Sequence, residues 1–559
     1  MTRRWTSLYS IYGMATGCAG LVLTLALTAC GGGGSSSSSP SSQMGHANIA
    51  LADAPSLDFD HVWITAKQID FHQLDTANPM DSQWLKFPLS APVTIDLTQY
   101  ANGNLAQVFS GLSLPVGTYR QIRLILVDDE AALTDSALAD KLLYNDQVDY
   151  TDSTGTAHHV PLEIIGPRQG INLIGTFTIN ASSPLNLVLD FDVDDDIVRF
   201  PDSLGSGFDA FTLKPNLRYF DLAQSGAIVG KVDPTRLAVN GGTAYNLIIK
   251  AEQVSANGTH HQVTRATTVR SDGTFTLFPV TVASGMSQNY DVLVRGRQMQ
   301  TLIVRGVPVT AGTTPTNGAT QVSSTALPIT IGSEYTVNLA NAMAPTGSWV
   351  DFFQTLPSTL DPAGVPYEVR FRHVNPFTGL IEIPFPLSSG SIQVGDYVAS
   401  GSPTFTTATP VQGAGGFSAF GGAIQFATSA AVSTMPPLSG TNTSILVPQL
   451  AVASPYVPGQ LTVNIATATL GRYTRGELVV SRFGMIVDSL PIDADLANGG
   501  QITMPNLPSG TTSSPDGGAF YYAWLRVWNA TSVRPHIVPV LGFADMTTSN
   551  SATLNVTIP

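Results

Sequence analysis

The sequence predicts an all-β protein made of several β-sandwich-like domains in tandem, and three observations carry that reading. Only 12% of the 559 residues are charged, while Gly (51) and Pro (37) are abundant. Such a chain supplies many turns and few amphipathic helix surfaces. Apolar residues alternate at period two in several segments, as half-buried strands require. A hydrophobic share of 43% is enough to fill several cores, and at roughly 150 residues per domain the length allows three or four.

Residues 1–29 read as a cleaved secretory signal. Arg3 and Arg4 make a basic start, Ala19 to Leu27 form a short apolar run, and small residues follow. The ending Leu27-Thr28-Ala29-Cys30 resembles a bacterial lipoprotein box. That resemblance implies cleavage before Cys30, which then carries a diacylglyceryl group. An uncleaved spanning helix would need about 20 apolar residues, and Gly13, Gly17 and Gly20 interrupt the run. Apart from Cys30 the only cysteine is Cys18, which precedes the apolar run. The mature chain can therefore form no internal disulfide and has no thiol nucleophile. Residues 30–43 are the lipidated Cys and a flexible linker. The 12 residues from Gly31 to Ser42 are glycine, serine and one proline, with a mean span of roughly 19 Å and a limit of about 40 Å. Gly31, rather than an acid, follows Cys30, which by resemblance to Gram-negative lipoproteins implies the outer membrane.

Residues 44–222 are expected to form an acidic β domain. From Gln43 to Ser225 there are 24 acidic and 9 basic residues, a net of −15, against 16 and 15 from Gly226 onward. A net charge of −14 and a pI near 4.9 argue against nucleic acid, because phosphate binding needs clustered Lys and Arg. Strands are predicted at Val62–Thr65, Trp84–Phe87, around Ile122, Leu124 and Leu126, and from Leu185 to Val193. In the last, Leu185, Leu187, Leu189, Phe191 and Val193 face one side, Asn186, Val188, Asp190 and Asp192 the other. Short helices are expected at Leu97–Phe109 and Ala131–Leu143.

Several phrases here occur in order: Ala52-Asp53-Ala54-Pro55, Asp96-Leu97, Leu114-Pro115-Val116-Gly117-Thr118-Tyr119 running into Gln121-Ile122-Arg123-Leu124, Leu189-Asp190-Phe191-Asp192 and Leu213-Lys214-Pro215. Together they resemble a bacterial lipoprotein family known as domain of unknown function 4382. The resemblance implies an exported β-sandwich-like module and brings no activity with it.

Residues 226–343 begin Gly226-Ala227-Ile228-Val229-Gly230-Lys231-Val232, turn at Ser271-Asp272-Gly273 and continue through Tyr290 to Arg297. This order resembles the carboxypeptidase-regulatory, transthyretin-like β-sandwich, which implies a spacer without an active site. Residues 344–449 form a Thr/Ser-rich β region, and no charge occurs between Tyr397 and Gly471. Barrel strands need about ten residues of sustained alternation, and no series of these is visible. Gly413–Gly422 is expected to be a mobile loop. Residues 450–559 form a C-terminal β-sandwich bracketed by strands at Gly476–Val480 and Tyr521–Trp528. In the latter, Tyr522, Trp524 and Trp528 share one parity and Tyr521 the other. At least one face must be core, and core packing is the expected role of these aromatics; the alternative is that exposed ones stack on a sugar or a protein.

Candidate chemistry is sparse. Asp190, Asp192, Asp194, Asp195 and Asp196 form an acidic cluster that could hold calcium, which accepts several carboxylates in flexible geometry. An EF-hand loop counted from Asp190 fails, because Asp195 and Pro201 stand where Gly and Glu are required. The simpler expectation is a solvated acidic strand end paired with Arg120, Arg123 or Lys214. The doublets His158-His159 and His260-His261 are expected in exposed loops. Neighbours on a strand point to opposite faces, so a doublet does not offer two ligands to one metal. No Gly-x-Ser-x-Gly elbow, His-Glu-x-x-His helix or phosphate loop occurs.

The sequence therefore predicts a lipid-anchored exported envelope protein, a non-catalytic binding or structural module with no catalytic residue and no required cofactor. Its membrane contact would run through the anchor at the outer membrane, facing the periplasm or the surface, with an envelope protein or a glycan as partner. The alternatives are an envelope hydrolase or carbohydrate-active protein, and a calcium-dependent binding module.

Overall fold

The computed structural model describes residues 43–558, apart from 165–169, 201–209, 214–216, 238–246, 341–347, 374–379, 412–416, 424–451, 453–455, 511–518 and scattered shorter stretches. The signal, Cys30, linker residues 31–42 and Lys214 lie outside the described residues, as does the side chain of Asp194.

The first unit holds β1 (Met44–Ala54), β2 (His61–His72), β3 (Leu85–Asp96), β4 (Ala106–Pro115), β5 (Gly117–Leu126), β6 (Gln147–Thr151), β7 (Ala157–Ile164), β8 (Ile171–Ile179), β9 (Leu185–Asp192), β10 (Ile197–Phe200), β11 (Ala210–Leu213) and β12 (Arg218–Asp221). One sheet runs β12-β9-β1-β4; the other runs β10-β11-β7-β6-β2-β5-β8, with β3 against β2. The first and ninth strands are parallel, Ala47 beside Leu185 through Ala54 beside Asp192. A parallel pair needs a long crossover, and here most of the second sheet supplies it. The predicted alternation of β9 is observed. Leu185, Leu187, Leu189 and Phe191 enter the main core with Ile49, Leu51, Ile64 and Leu124, while Val188 packs behind with Ala50, Ala52 and Phe220.

Both expected helices shrink. Leu97–Tyr100 is a single 3-10 turn capped by Asp96, and the chain then extends into β4. The other is α1 (Asp135–Ala139), capped where the Thr134 hydroxyl accepts the Ala137 N–H.

The second unit contains β13 (Ser225–Lys231), β14 (Ile248–Val254), β15 (His261–Thr268), β16 (Thr274–Thr281), β17 (Ser287–Arg295), β18 (Gln300–Thr310) and β19 (Thr320–Gln321). Gly273, at φ +85°, makes the predicted turn before β16. Beyond it come β20 (Tyr335–Ala340), β21 (Ser348–Gln354), β22 (Tyr367–His373), β23 (Leu380–Leu387), β24 (Ser389–Asp396), β25 (Thr406–Ala408) and β26 (Ser418–Ala423). Two sheets, β16-β13-β19 and β15-β14-β17-β18-β24-β25, enclose Phe275, Leu277, Tyr290, Val292 and Val304. Strands from beyond residue 343 thus complete this unit, β24 running parallel to β18.

The expected mobile loop is corrected over 418–422, which are strand, paired with β21; 412–416 lie outside the described residues. Gly422 serves packing, since a Cβ there would lie 2.6 Å from the Trp349 indole nitrogen.

The last unit has β27 (Val457–Thr467), β28 (Arg475–Arg482), β29 (Met485–Pro491), β30 (Gly500–Ser509), β31 (Phe520–Trp528), β32 (His536–Pro539), β33 (Ala544–Asp545) and β34 (Ser551–Ile558). Sheets β30-β27-β34 and β29-β28-β31-β32, the latter with β33 on β31, share a core of Leu461, Leu478, Met504, Tyr521 and Leu525. Among the described residues no helix is long and apolar enough to cross a membrane.

Candidate functional site

The alternation of β9 sends Asp190 and Asp192 away from the main core, and antiparallel pairing sets Arg218 of β12 beside Asp190. Arg218 Nη2 lies 3.1 Å from Asp190 Oδ2 and 3.0 Å from Asp192 Oδ2. Its Nη1 donates to the carbonyls of Val263 and Thr264, each at 3.2 Å, on β15 of the second unit. From that unit Arg265 returns the contact. Its Nη1 donates to Asp190 Oδ1 and its Nη2 to the Asp53 carbonyl at 2.9 Å. An apolar patch of Ala54, Ile248, Val263 and Ala266 adjoins these ion pairs.

The strand end is therefore not solvated. Asp190, Asp192, Asp195 and Asp196 are all buried, and the expected loop is the short helix α2 (Val193–Asp196). Asp196 Oδ2 accepts the Asp192 N–H at 3.0 Å, and Asp53 Oδ1 accepts the Val193 N–H at 3.2 Å. Burial raises the Asp53 carboxyl well above the ordinary value, although the Val193 N–H and the Arg265 charge oppose it. Burial also lowers Arg265 to about 10, so its guanidinium stays charged at neutral pH.

The partners expected for the cluster are engaged elsewhere: Arg120 donates to Thr176, and Arg123 pairs with Asp70 at 2.7 Å. The positive charge that relieves the acidic strand comes from Arg218 and Arg265. Among the described residues no group of three or more His, Cys, Asp or Glu is arranged to hold a metal ion.

A third segment closes the junction. The small helix α2 lies against β22. Tyr367 of β22 stacks on His261 with ring centroids 3.7 Å apart, and its hydroxyl donates to Asp291 at 2.7 Å. Lys250 Nζ lies 3.5 Å from Glu368 Oε1, and the Glu368 N–H donates to Glu252 at 3.2 Å. Arg372 meets Asp58 of the first unit at 3.1 Å.

The histidine doublets are corrected in part, for each reaches into a strand, although His159 is exposed and His260 precedes β15. His158 and His159 lie on β7, at 2.9 Å from Asp152 and 2.8 Å from Asp149. His261 opens β15 and is buried.

Both faces of β31 are covered. Tyr521, Ala523, Leu525 and Val527 enter the C-terminal core. Tyr522, Trp524, Arg526 and Trp528 are equally buried on the other side. There Arg526 reaches Glu163 of the first unit at 2.6 Å and Glu477 at 3.2 Å. Sequence reasoning missed Asp53, Arg218, Arg265 and Arg526. The available signal was an ionisable residue inside an otherwise apolar strand, as in Ala52-Asp53-Ala54.

Residues 44–215 match the family model of a domain of unknown function, DUF4382. No curated protein matches the chain significantly. Among solved structures, the shaft pilin SpaA of Lactobacillus rhamnosus GG is similar at 11% identity and a TM-score of 0.19, covering 41% of this chain and 98% of that one. Two B repeat units of the collagen binding protein of Staphylococcus aureus are similar at 8% identity and a TM-score of 0.11, covering 92% and 99%. Scores this far below 0.5 carry no functional weight.

Proposed function

We propose that the chain is an exported, lipid-anchored, non-catalytic structural module of a Gram-negative envelope, held at the outer membrane through Cys30. The carrying observation is the buried junction, where Arg218 and Arg265 join Asp190 and Asp192 across two units. Charges committed to one another in this way support a role in setting domain geometry, with Asp190 and Asp192 engaged by guanidinium groups. The second unit, which resembles a transthyretin-like module, serves as a spacer. An envelope protein or a glycan is the expected partner of the exposed surfaces.

Fatty-acid labelling with membrane fractionation tests the anchor. Label should enter the mature protein and disappear, with membrane retention, in Cys30→Ser; unchanged labelling would refute it. Protease shaving of intact and lysed cells then reports which side the protein faces. Turnover of envelope glycans or esters by the purified chain, abolished by a single carboxylate change, would replace the structural reading with the hydrolase one.

A further inference from the structure

We propose that the end of the first unit beside the tether is a lipid-contacting tip, which rests its apolar side chains on the leaflet that holds the anchor. The inference depends on the lipid-anchor reading and adds an orientation to it.

Four segments meet at this end. Val116 N–H donates to the Gln43 carbonyl at 2.8 Å, and Met44 pairs with Pro115. A Cβ on Gly45 would lie 2.3 Å from the Asn180 carbonyl, and one on Gly117 would lie 3.4 Å from Gln73 Nε2. Met44, Leu74, Met80 and Val116 are 44%, 53%, 79% and 39% exposed. Singly, exposed apolar residues need no explanation. Met44 and Val116 lie at the paired ends of the chain entering from the Gly/Ser tether, Leu74 directly follows Gln73, and Met80 lies further along the same loop.

Charge supports the same occupant. The domain carries a net of −15, yet the described residues of 43–45, 73–83, 115–117 and 180–184 include no basic residue and only two acids, Asp75 and Asp81. Asp81 lies 3.7 Å from His72. A tip without cations does not seek anionic lipid, whereas a charge-poor apolar tip suits a zwitterionic leaflet, entering about 5–10 Å to the headgroup boundary. The linker, at most about 40 Å long, brings the tip within reach of the surface.

The test uses the absence of any thiol in the mature chain other than Cys30. Lipidated full-length protein carrying an environment-sensitive dye on Met80→Cys is placed in phosphatidylethanolamine/phosphatidylcholine vesicles. Leu138→Cys is the control, since α1 attaches to β3 near Thr94, whose partner Thr65 lies seven residues up β2 from His72, about 23 Å away. The dye at position 80 should shift to the blue and lose emission to headgroup-depth lipid quenchers, while the dye at 138 does neither. If the protein floats with vesicles and the two positions respond alike, the tip is refuted and the anchor stands. If it does not float, the anchor reading fails and the tip falls with it. A response at 80 that rises with protein concentration without lipid would assign the patch to a second copy and refute the proposal.

Discussion

Asp53 is fully enclosed, with burial raising its carboxyl and the Val193 N–H and Arg265 opposing. A carboxyl whose folded pKa exceeds its unfolded value, about 3.9, contributes stability while protonated and loses it as pH rises through the folded value. Asp53→Asn should therefore melt higher than the parent at pH 8, with the two converging by about pH 4. A constant gap across that range would show that Asp53 does not titrate on folding. Asp291 has the opposite sign. Burial raises it, but hydrogen bonds from His261, Gly306 and Tyr367 outweigh that and leave it lowered. Its contribution is present above the unfolded value and lost as pH falls through the folded one, so Asp291→Asn should cost most near pH 7 and least under acid. Calcium should leave the thermal midpoint unmoved, because guanidinium groups already neutralise Asp190 and Asp192. A calcium-dependent rise that Asp192→Asn removes would restore the calcium reading.

At the level of elements, β26 shows how a glycine-rich segment becomes a strand. Its backbone pairs with β21 while Gly422 leaves room for the Trp349 ring. Gly422→Val should destabilise the protein by about 1–3 kcal/mol through overpacking, read as an earlier denaturant midpoint. An unchanged midpoint would mean that the ring moves aside freely. Strand β9 is the converse, a segment whose period of two was plain in the sequence. Both of its faces are buried, so the same alternation separates a core from a charged junction instead of a core from water.

For the molecule as a whole, the units do not follow one another as separate beads. The second unit grips the first through Arg265, β22 closes on both, and the last unit returns to the first through Arg526. Removing Arg526 leaves Glu477, whose carboxyl burial already raises, opposite Glu163 and paired with the more exposed Arg475 at 3.6 Å. Arg526→Met should cost about 3–5 kcal/mol at neutral pH, the penalty of breaking a buried pair. The loss should shrink on acidification, since a raised carboxyl regains stability as pH falls through its folded value. Calorimetry across pH checks this, and a pH-independent loss would assign the effect to packing.

The all-β class, the period of β9, the strands at Val62, Ile122, Gly476 and Tyr521, and the charge asymmetry were legible in the sequence, because alternation and composition are local properties. The partners of Asp190 and the source of the cover over Trp524 were not. Arg265 stands 75 residues from Asp190, and Arg526 stands 363 from Glu163. An Asp or Trp on the back of a strand looks the same in sequence whether water or another domain covers it. Only the tertiary structure decided that, because the cover comes from distant chain, and burial rather than residue type determines whether a charge meets solvent or a guanidinium.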